Sequence, residues 1–166
     1  MSSTPLLAAL DSLFGLPAHP LVVHAAVVLI PLTALLTIGL AVLPRWRWLL
    51  RWPTAAASLV CVGLAFLATT SGRSLEHARP ELARLVREHA ARGQLLADLT
   101  VVLAVVVVAA AFLLSGPSAL VSGRGERISR GSLADKVLPV LLVLAAVVVL
   151  VQVVRTGDSG ARAVWG

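Results

Sequence analysis

Residues 95–114 read LLADLTVVLAVVVVAAAFLL, a run of 20 residues that carries a single charge, on Asp98. An α-helix needs about 20 mainly apolar residues to cross the hydrocarbon core of a bilayer. Four strands could not close a barrel, and lipid does not tolerate open sheet edges, so such a run is predicted to be a helix. Similar runs cover residues 21–43, 54–70 and 137–154. We therefore predict an all-α integral membrane protein, a four-transmembrane-helix bundle that forms a single domain of residues 1–166.

The composition excludes a water-soluble globular protein. Hydrophobic residues make up 58% of the chain, charged residues 13%, and the mean hydropathy is +0.95, whereas a soluble domain carries about 25% charged residues. The net charge of +6 comes mainly from arginines between the apolar runs, where contact with lipid headgroups is the ordinary interpretation. The segment that combines arginine with tryptophan, residues 44–53, lies between two apolar runs and is interpreted as a belt at the membrane interface. We therefore expect the lipid bilayer, and no nucleic acid, as the partner.

Two segments outside the spans carry a helical pattern. Between residues 71 and 93, apolar side chains recur with the i, i+3, i+4, i+7 spacing of one helix face, while charged residues take the opposite face. The apolar positions are Leu82, Leu85, Val86 and His89. This spacing predicts an amphipathic helix that leads into the third span. Leucines within residues 5–15 predict a short N-terminal interfacial helix.

The charges at the two ends of the bundle predict its orientation. An even number of spans places both termini and residues 71–93 on one side, with seven Arg and Lys residues on each side. Residues 44–53 contain three arginines and three tryptophans, and their side has two acidic residues against six on the other. We therefore expect residues 44–53 to face the cytoplasm, and both termini to lie outside the cell inner (cytoplasmic) membrane.

All four histidines fall on the side that we assign to the exterior. His24 lies about one turn inside the first span, and His89 lies on the apolar face of its predicted helix, so the two imidazoles could converge inside the bundle. Two imidazoles from different helices can hold the iron of haem b axially, or bind a metal ion with Glu88 or Asp98. His19 and His77 occupy predicted capping and loop positions, where a solvated imidazole is the ordinary case.

Asp98 and Arg155 are ionisable residues at predicted membrane depth. Asp98 lies about one turn inside the third span, at a depth similar to that of His24. An ionised group in hydrocarbon costs several kcal/mol unless it is paired. We therefore expect Asp98 to point into the bundle and to pair with His24 or Arg155. Such pairs would be buried polar contacts between helices, which is the alternative to cofactor binding for these residues.

The chain resembles a known family. Residues 19–24 read HPLVVH and are followed by Pro31-Leu32, which resembles the HPLxVHxP-type start of a bacterial multi-pass membrane protein family, the domain of unknown function 2231 family. The resemblance extends to residues 70–72, 89, 93 and 157–165, so it covers nearly the whole chain. It implies the architecture and no activity. The chain departs from the pattern at two places. Ala25-Ala26 stands where the resemblance implies a Phe-Pro or similar pair, and Asp158 stands where it implies histidine.

Three functions are compatible with these features. The leading hypothesis is a non-enzymatic accessory or scaffold protein. Residues 157–160, GDSG, match the nucleophile motif of trypsin-like proteases, but they follow a transmembrane helix instead of lying in the β fold that those enzymes require. The alternative is a b-type cytochrome-like, haem-binding electron carrier with axial histidines near the external face. The third is a small transporter subunit, although four helices without inverted repeats offer a poor pathway unless the protein oligomerises. A membrane protein complex or a homo-oligomer is the expected partner.

Overall fold

The computed structural model describes residues 12–13, 16–78, 80, 83–114 and 133–165. Its helices are α1 (Ala18–Val42), α2 (Arg47–Ala78), α3 (Ala83–Leu113) and α4 (Leu133–Trp165), with a 3₁₀ turn at Pro44–Trp46 between α1 and α2. Two short strands, β1 (Ser12–Leu13) and β2 (Leu16–Pro17), pair antiparallel just before α1.

The four helices form a ring. Helix α1 packs against α2 and α4, and α3 packs against the same two helices, so α1 and α3 are diagonal to each other. Each of these helices is long and apolar enough to cross a membrane. Large apolar side chains such as Phe66 and Phe112 are exposed on the outside of the bundle, where lipid can cover them. The predicted four-helix membrane bundle is confirmed.

The helices are longer than the predicted spans. Helices α2, α3 and α4 contain 32, 31 and 33 residues, or about 46–50 Å at 1.5 Å per residue, whereas the hydrocarbon core is about 30 Å thick. The predicted helix before the third span is confirmed as the first turns of α3, which begins at Ala83. Its predicted apolar face is only partly correct, because Leu85 is exposed, and Leu82 lies outside the described residues. Residues 71–78, predicted to belong to the connection, are the last turns of α2 instead.

The predicted interfacial helix of residues 5–15 lies largely outside the described residues. The part that the structure describes, Ser12–Leu13, is a β-strand paired with Leu16–Pro17. A helix therefore cannot include Ser12 and Leu13, because their backbone groups face the neighbouring strand.

The interior of the bundle is filled by small and β-branched side chains. Ala34, Ala146 and Val107 have no exposed surface, and neither do Thr37 and Thr100. The hydroxyl of Thr37 donates to Thr33 O at 2.8 Å, and that of Thr100 donates to Leu96 O at 2.7 Å. A hydroxyl bonded to its own helix is satisfied without a polar partner elsewhere. The small side chains allow the helices to approach closely.

Arg47 joins three helices at one end of the bundle, which we call the Arg47 end. It is 7% exposed. Its Nε and Nη2 donate, each at 3.3 Å, to Leu40 O and Ala41 O in the last turn of α1. Its Nη1 lies 3.9 Å from Oδ1 of Asp135 in the first turn of α4. Guanidinium and carboxylate thus compensate each other's charge where both are shielded from water.

Candidate functional site

The other end of the bundle, which carries all four histidines and which we call the histidine end, contains a cavity of about 360 Å³. All four helices contribute to its wall. The apolar part of the wall includes Val23, Ala26, Val27, Ala65, Ala68, Val86, Ala90 and Ala163. The polar part includes His19, Arg73, Glu76, His89 and Gln94. A mainly apolar cavity of this size with a few convergent polar groups is typical of small-molecule sites, which occupy about 300–1,000 Å³.

His19 enters the cavity from the first turn of α1. Its Nδ1 lies 3.0 Å from Oγ of Ser71 on α2, and the Ser71 hydroxyl donates its one proton to Ala68 O at 3.1 Å. The bond between His19 and Ser71 is therefore donated by Nδ1–H of the imidazole. His19 is half-buried within α1, which corrects the prediction that it precedes the helix as a solvated cap. Proline is tolerated in a first helical turn, so α1 begins before Pro20.

His89 enters the same cavity from α3, on the diagonally opposite side. Its Nδ1 lies 3.1 Å from Thr156 O on α4. Because a carbonyl oxygen only accepts, Nδ1 carries the proton in this bond. The same carbonyl also accepts the hydroxyl proton of Ser159 at 2.8 Å. His89 therefore faces the interior of the bundle, as the helical pattern of its segment predicts.

A glycine lies against each imidazole. A Cβ added at Gly72 of α2 would be 3.1 Å from Cε1 of His19, and one added at Gly160 of α4 would be 3.0 Å from Nδ1 of His89. By contrast, a Cβ added at Gly63 or Gly157 would meet no atom within 4 Å. At positions 72 and 160, any larger residue would therefore press on a histidine ring.

The two halves of the bundle repeat one arrangement. In each half a histidine near the start of one helix lies against a Ser-Gly pair near the end of the next: His19 against Ser71-Gly72, and His89 against Ser159-Gly160. In each pair the serine hydroxyl donates to the carbonyl three residues earlier, Ala68 O or Thr156 O. The sequence analysis did not assign these serines and glycines to the site, although the Ser-Gly pair occurs twice, shortly before Arg73 and Arg162.

We assign the tautomer of both rings from their hydrogen-bond partners. A neutral imidazole carries one N–H, and in both His19 and His89 that proton is on Nδ1. Nε2 of each ring then carries the lone pair, and the hydrogen bonds that join the two rings to Ser71 and Thr156 are both made through Nδ1. Ligating histidines in metal and haem proteins are oriented in this way, with one nitrogen hydrogen-bonded to the protein and the other on the metal.

His24 and His77 lie outside the cavity. His24 is exposed on the outer face of α1, and its Nδ1–H donates to Pro20 O of the same helix at 2.6 Å. The structure therefore does not bring His24 and His89 together, because His24 is rotated away from the bundle interior. His77 is exposed in the last turn of α2, not in a loop, and donates to Arg73 O at 2.7 Å.

Asp98 does not make the predicted pair with His24 or Arg155. It is exposed on α3, where Oδ1 accepts a hydrogen bond from Gln94 Nε2 at 3.0 Å. Arg155 is exposed on α4, and its backbone O accepts from Arg92 Nη1 at 3.1 Å. Arg155 is thus level with Arg92, six residues before Asp98 on α3, which is about 9 Å along the helix axis. The two charges are therefore at different depths, and each is exposed.

The described residues contain no group of three or more His, Cys, Asp or Glu side chains that could hold a metal ion. His19 and His89 are accordingly a two-ligand pair. Such a pair can complete the coordination of a metal that brings ligands of its own, as in haem.

The fold and the cavity define a class: a four-helix, multi-pass membrane protein in which two imidazoles line a cavity at one end of the bundle. The chain belongs to the family described as "Predicted membrane protein (DUF2231)", whose model matches residues 15–166. This match confirms the resemblance carried by the histidine-proline opening. No curated protein and no solved structure is significantly similar to the chain.

Proposed function

We propose that the protein binds haem b in the cavity, with His19 and His89 as axial ligands, and acts as an electron carrier of the membrane. The observation that carries this proposal is the pair of imidazoles in one cavity, each anchored through Nδ1–H with its Nε2 lone pair unused. Residues from diagonal helices approach a ligand from opposite sides. When bound, haem supplies one-electron transfer at its iron.

The number of ligands favours haem over a bare metal ion. Protein sites for bare transition metals use three or four side-chain ligands, whereas the described residues offer two histidines here. Haem iron already has four ring nitrogens and needs only axial ligands from the protein. The valine- and alanine-rich wall of the cavity also matches a large apolar ring.

The tautomers favour haem over a quinone. A quinone carbonyl needs hydrogen-bond donors, which Arg73 and Gln94 offer in this wall, whereas Nε2 of both histidines is an acceptor in the assigned tautomer. A Lewis acid such as haem iron takes this lone pair directly. The arrangement of the imidazoles therefore supports a metal-containing ligand over a neutral carbonyl compound.

We further propose that the histidine end faces the exterior of the cytoplasmic membrane. Arg45, Trp46, Trp48 and Trp52 are exposed at the Arg47 end, in keeping with an interfacial belt on the cytoplasmic side. Haem near the external face would exchange electrons with a membrane protein complex or a second copy of the chain. A reporter that works only outside the cytoplasm should be active when fused to the C-terminus, and inactivity there would reverse the orientation.

Absorbance spectra test the haem proposal. The full chain is expressed with haem available, purified in detergent, and measured oxidised and dithionite-reduced. We expect His19→Ala and His89→Ala to lose the haem spectrum, and the exposed controls His24→Ala and His77→Ala to retain it. Retention of the spectrum in the first two variants, or a colourless wild type, would contradict the proposal.

A non-enzymatic accessory protein is the second candidate, and one observation favours it. Each cavity histidine hydrogen-bonds to a neighbouring helix, His19 to Ser71 and His89 to Thr156, as a polar contact that fixes helix packing would do. This hypothesis expects a colourless wild type that is destabilised by His19→Ala and His89→Ala. Thermal unfolding of the haem-free protein in detergent separates the two candidates when it is read together with the spectra.

A further inference from the structure

Among the described residues, one arginine lines the cavity. This is Arg73, which lies on the side formed by α2 and α3. Its Nη2 donates to Gln94 Oε1 at 2.7 Å, and Gln94 Nε2 donates in turn to Asp98 Oδ1 at 3.0 Å. Both Arg73 and Gln94 line the cavity. The neutral amide of Gln94 thus separates the guanidinium from the nearest carboxylate in this line of hydrogen bonds.

The pairing of Arg73 differs from that of two other arginines at the histidine end. Arg92 forms an ion pair with Glu88, and Arg162 forms one with Asp158, each with a carboxylate four residues away on its own helix. Within the described part of the chain, Arg73 makes no ion pair. A guanidinium offers five N–H donors in a fork that matches a carboxylate. Arg73 is therefore an exposed cation of the cavity wall that forms no ion pair with a described residue, although Glu76 lies in the same wall three residues later.

We propose that Arg73 binds a carboxylate of the cavity ligand, so that the site selects an acidic ligand over its neutral ester. This inference rests on the haem proposal, in which the carboxylate is a propionate of haem b. The Nε2 lone pairs of His19 and His89 take the metal, the apolar wall takes the ring, and Arg73 takes the acid group.

The test compares two ligands and three arginine variants of the full chain in neutral detergent. Haem b and its dimethyl ester, in which both propionates are neutral, are titrated into haem-free protein, and the Soret absorbance gives Kd. We expect Arg73→Gln to weaken haem b about tenfold, the loss of one charge-assisted hydrogen bond. Arg73→Lys should weaken it less because the charge remains. Arg87→Gln, at an exposed position of α3 outside the cavity wall, should leave Kd unchanged.

The ester separates a lost ion pair from a distorted site. Wild type should bind the ester about as weakly as Arg73→Gln binds haem b, and Arg73→Gln should bind the two ligands equally. Equal affinities of wild type for haem b and its ester would overturn the role of Arg73 while leaving the haem proposal intact. Absence of a histidine-dependent Soret change with either ligand would overturn both.

Discussion

The two ends of the bundle both place polar side chains between helices, but they use them differently. At the Arg47 end, Nε and Nη2 of Arg47 donate to two carbonyls of α1, and its charge is met by Asp135 of α4. At the histidine end, each imidazole hydrogen-bonds through Nδ1 to a neighbouring helix and lines a cavity of about 360 Å³.

This difference separates a stabilising polar cluster from the proposed binding site. Buried polar groups are nearly always satisfied, so a group whose capacity is fully used by the protein has a sufficient explanation in the fold. Groups that converge on a cavity with capacity left over have their explanation in a ligand. The comparison predicts that changes at the Arg47 end alter stability alone, whereas changes at the histidine end alter binding.

The largest effect is expected from Arg47→Gln. The change removes the guanidinium that caps α1 and compensates the charge of Asp135, and breaking one side of a buried ion pair costs about 3 kcal/mol. We expect the free energy of unfolding in detergent to fall by that amount, measured by denaturant titration of the helical circular dichroism signal. Haem affinity of the folded fraction should not change.

Arg45→Gln is the matched control, because Arg45 is exposed two residues earlier. An exposed substitution should change stability by no more than about 0.5 kcal/mol. If the two variants were equally stable, Arg47 would not tie the helices together, and the contrast between the two ends would lose one of its halves.

The next effect is expected at the cavity glycines. Gly160→Ala would place a methyl group 3.0 Å from Nδ1 of His89, and Gly72→Ala would place one 3.1 Å from Cε1 of His19. Each ring must move to relieve the contact, and overpacking of this kind costs about 2 kcal/mol. We therefore expect each variant to weaken haem binding by about thirtyfold.

Two other helical glycines provide controls for the methyl group itself. Gly157→Ala and Gly63→Ala introduce a Cβ with no atom within 4 Å, so their haem affinity should equal that of wild type. They should also be slightly more stable, because alanine is the better helix former. A loss of affinity in the controls equal to that at Gly160 and Gly72 would show that helix composition, and not contact with the histidines, controls binding.

The fold followed from the sequence because lipid permits few solutions. Long apolar runs such as residues 95–114 must be helices in a bilayer. Each of the four predicted spans falls inside one observed helix, and none extends beyond it by more than one residue. The helix ends were less predictable. Residues 71–78 and 155–165 contain charged side chains, which mark the end of hydrocarbon but do not stop a helix. Hydropathy therefore located the membrane and not the ends of the helices.

The site was half predictable, for a reason visible in α1 and α3. His89 lies in a segment with charged residues on one face, so the sequence indicated which face is inside. His19 and His24 belong to a helix that is apolar on every side, and five residues rotate a side chain by about 140° around the axis. Hydrophobicity could not decide which of the two faces the interior. Only packing against Ser71 and Gly72 of α2 distinguishes His19 from His24.

The smallest effect tests whether the two repeated halves hold their histidines in the same way. His19 donates to a side-chain oxygen, Oγ of Ser71, whereas His89 donates to a backbone oxygen, Thr156 O. Ser71→Ala removes the acceptor of His19, and one hydrogen bond contributes about 1 kcal/mol. Ser159→Ala removes only a hydroxyl that donates to Thr156 O, and that carbonyl still accepts from His89. We expect Ser71→Ala to weaken haem binding about fivefold and Ser159→Ala to change it less than twofold, both by Soret titration. Of the two serine hydroxyls, only that of Ser71 hydrogen-bonds directly to a proposed haem ligand, His19. Equal losses in the two variants would therefore mean that the serines act through helix packing.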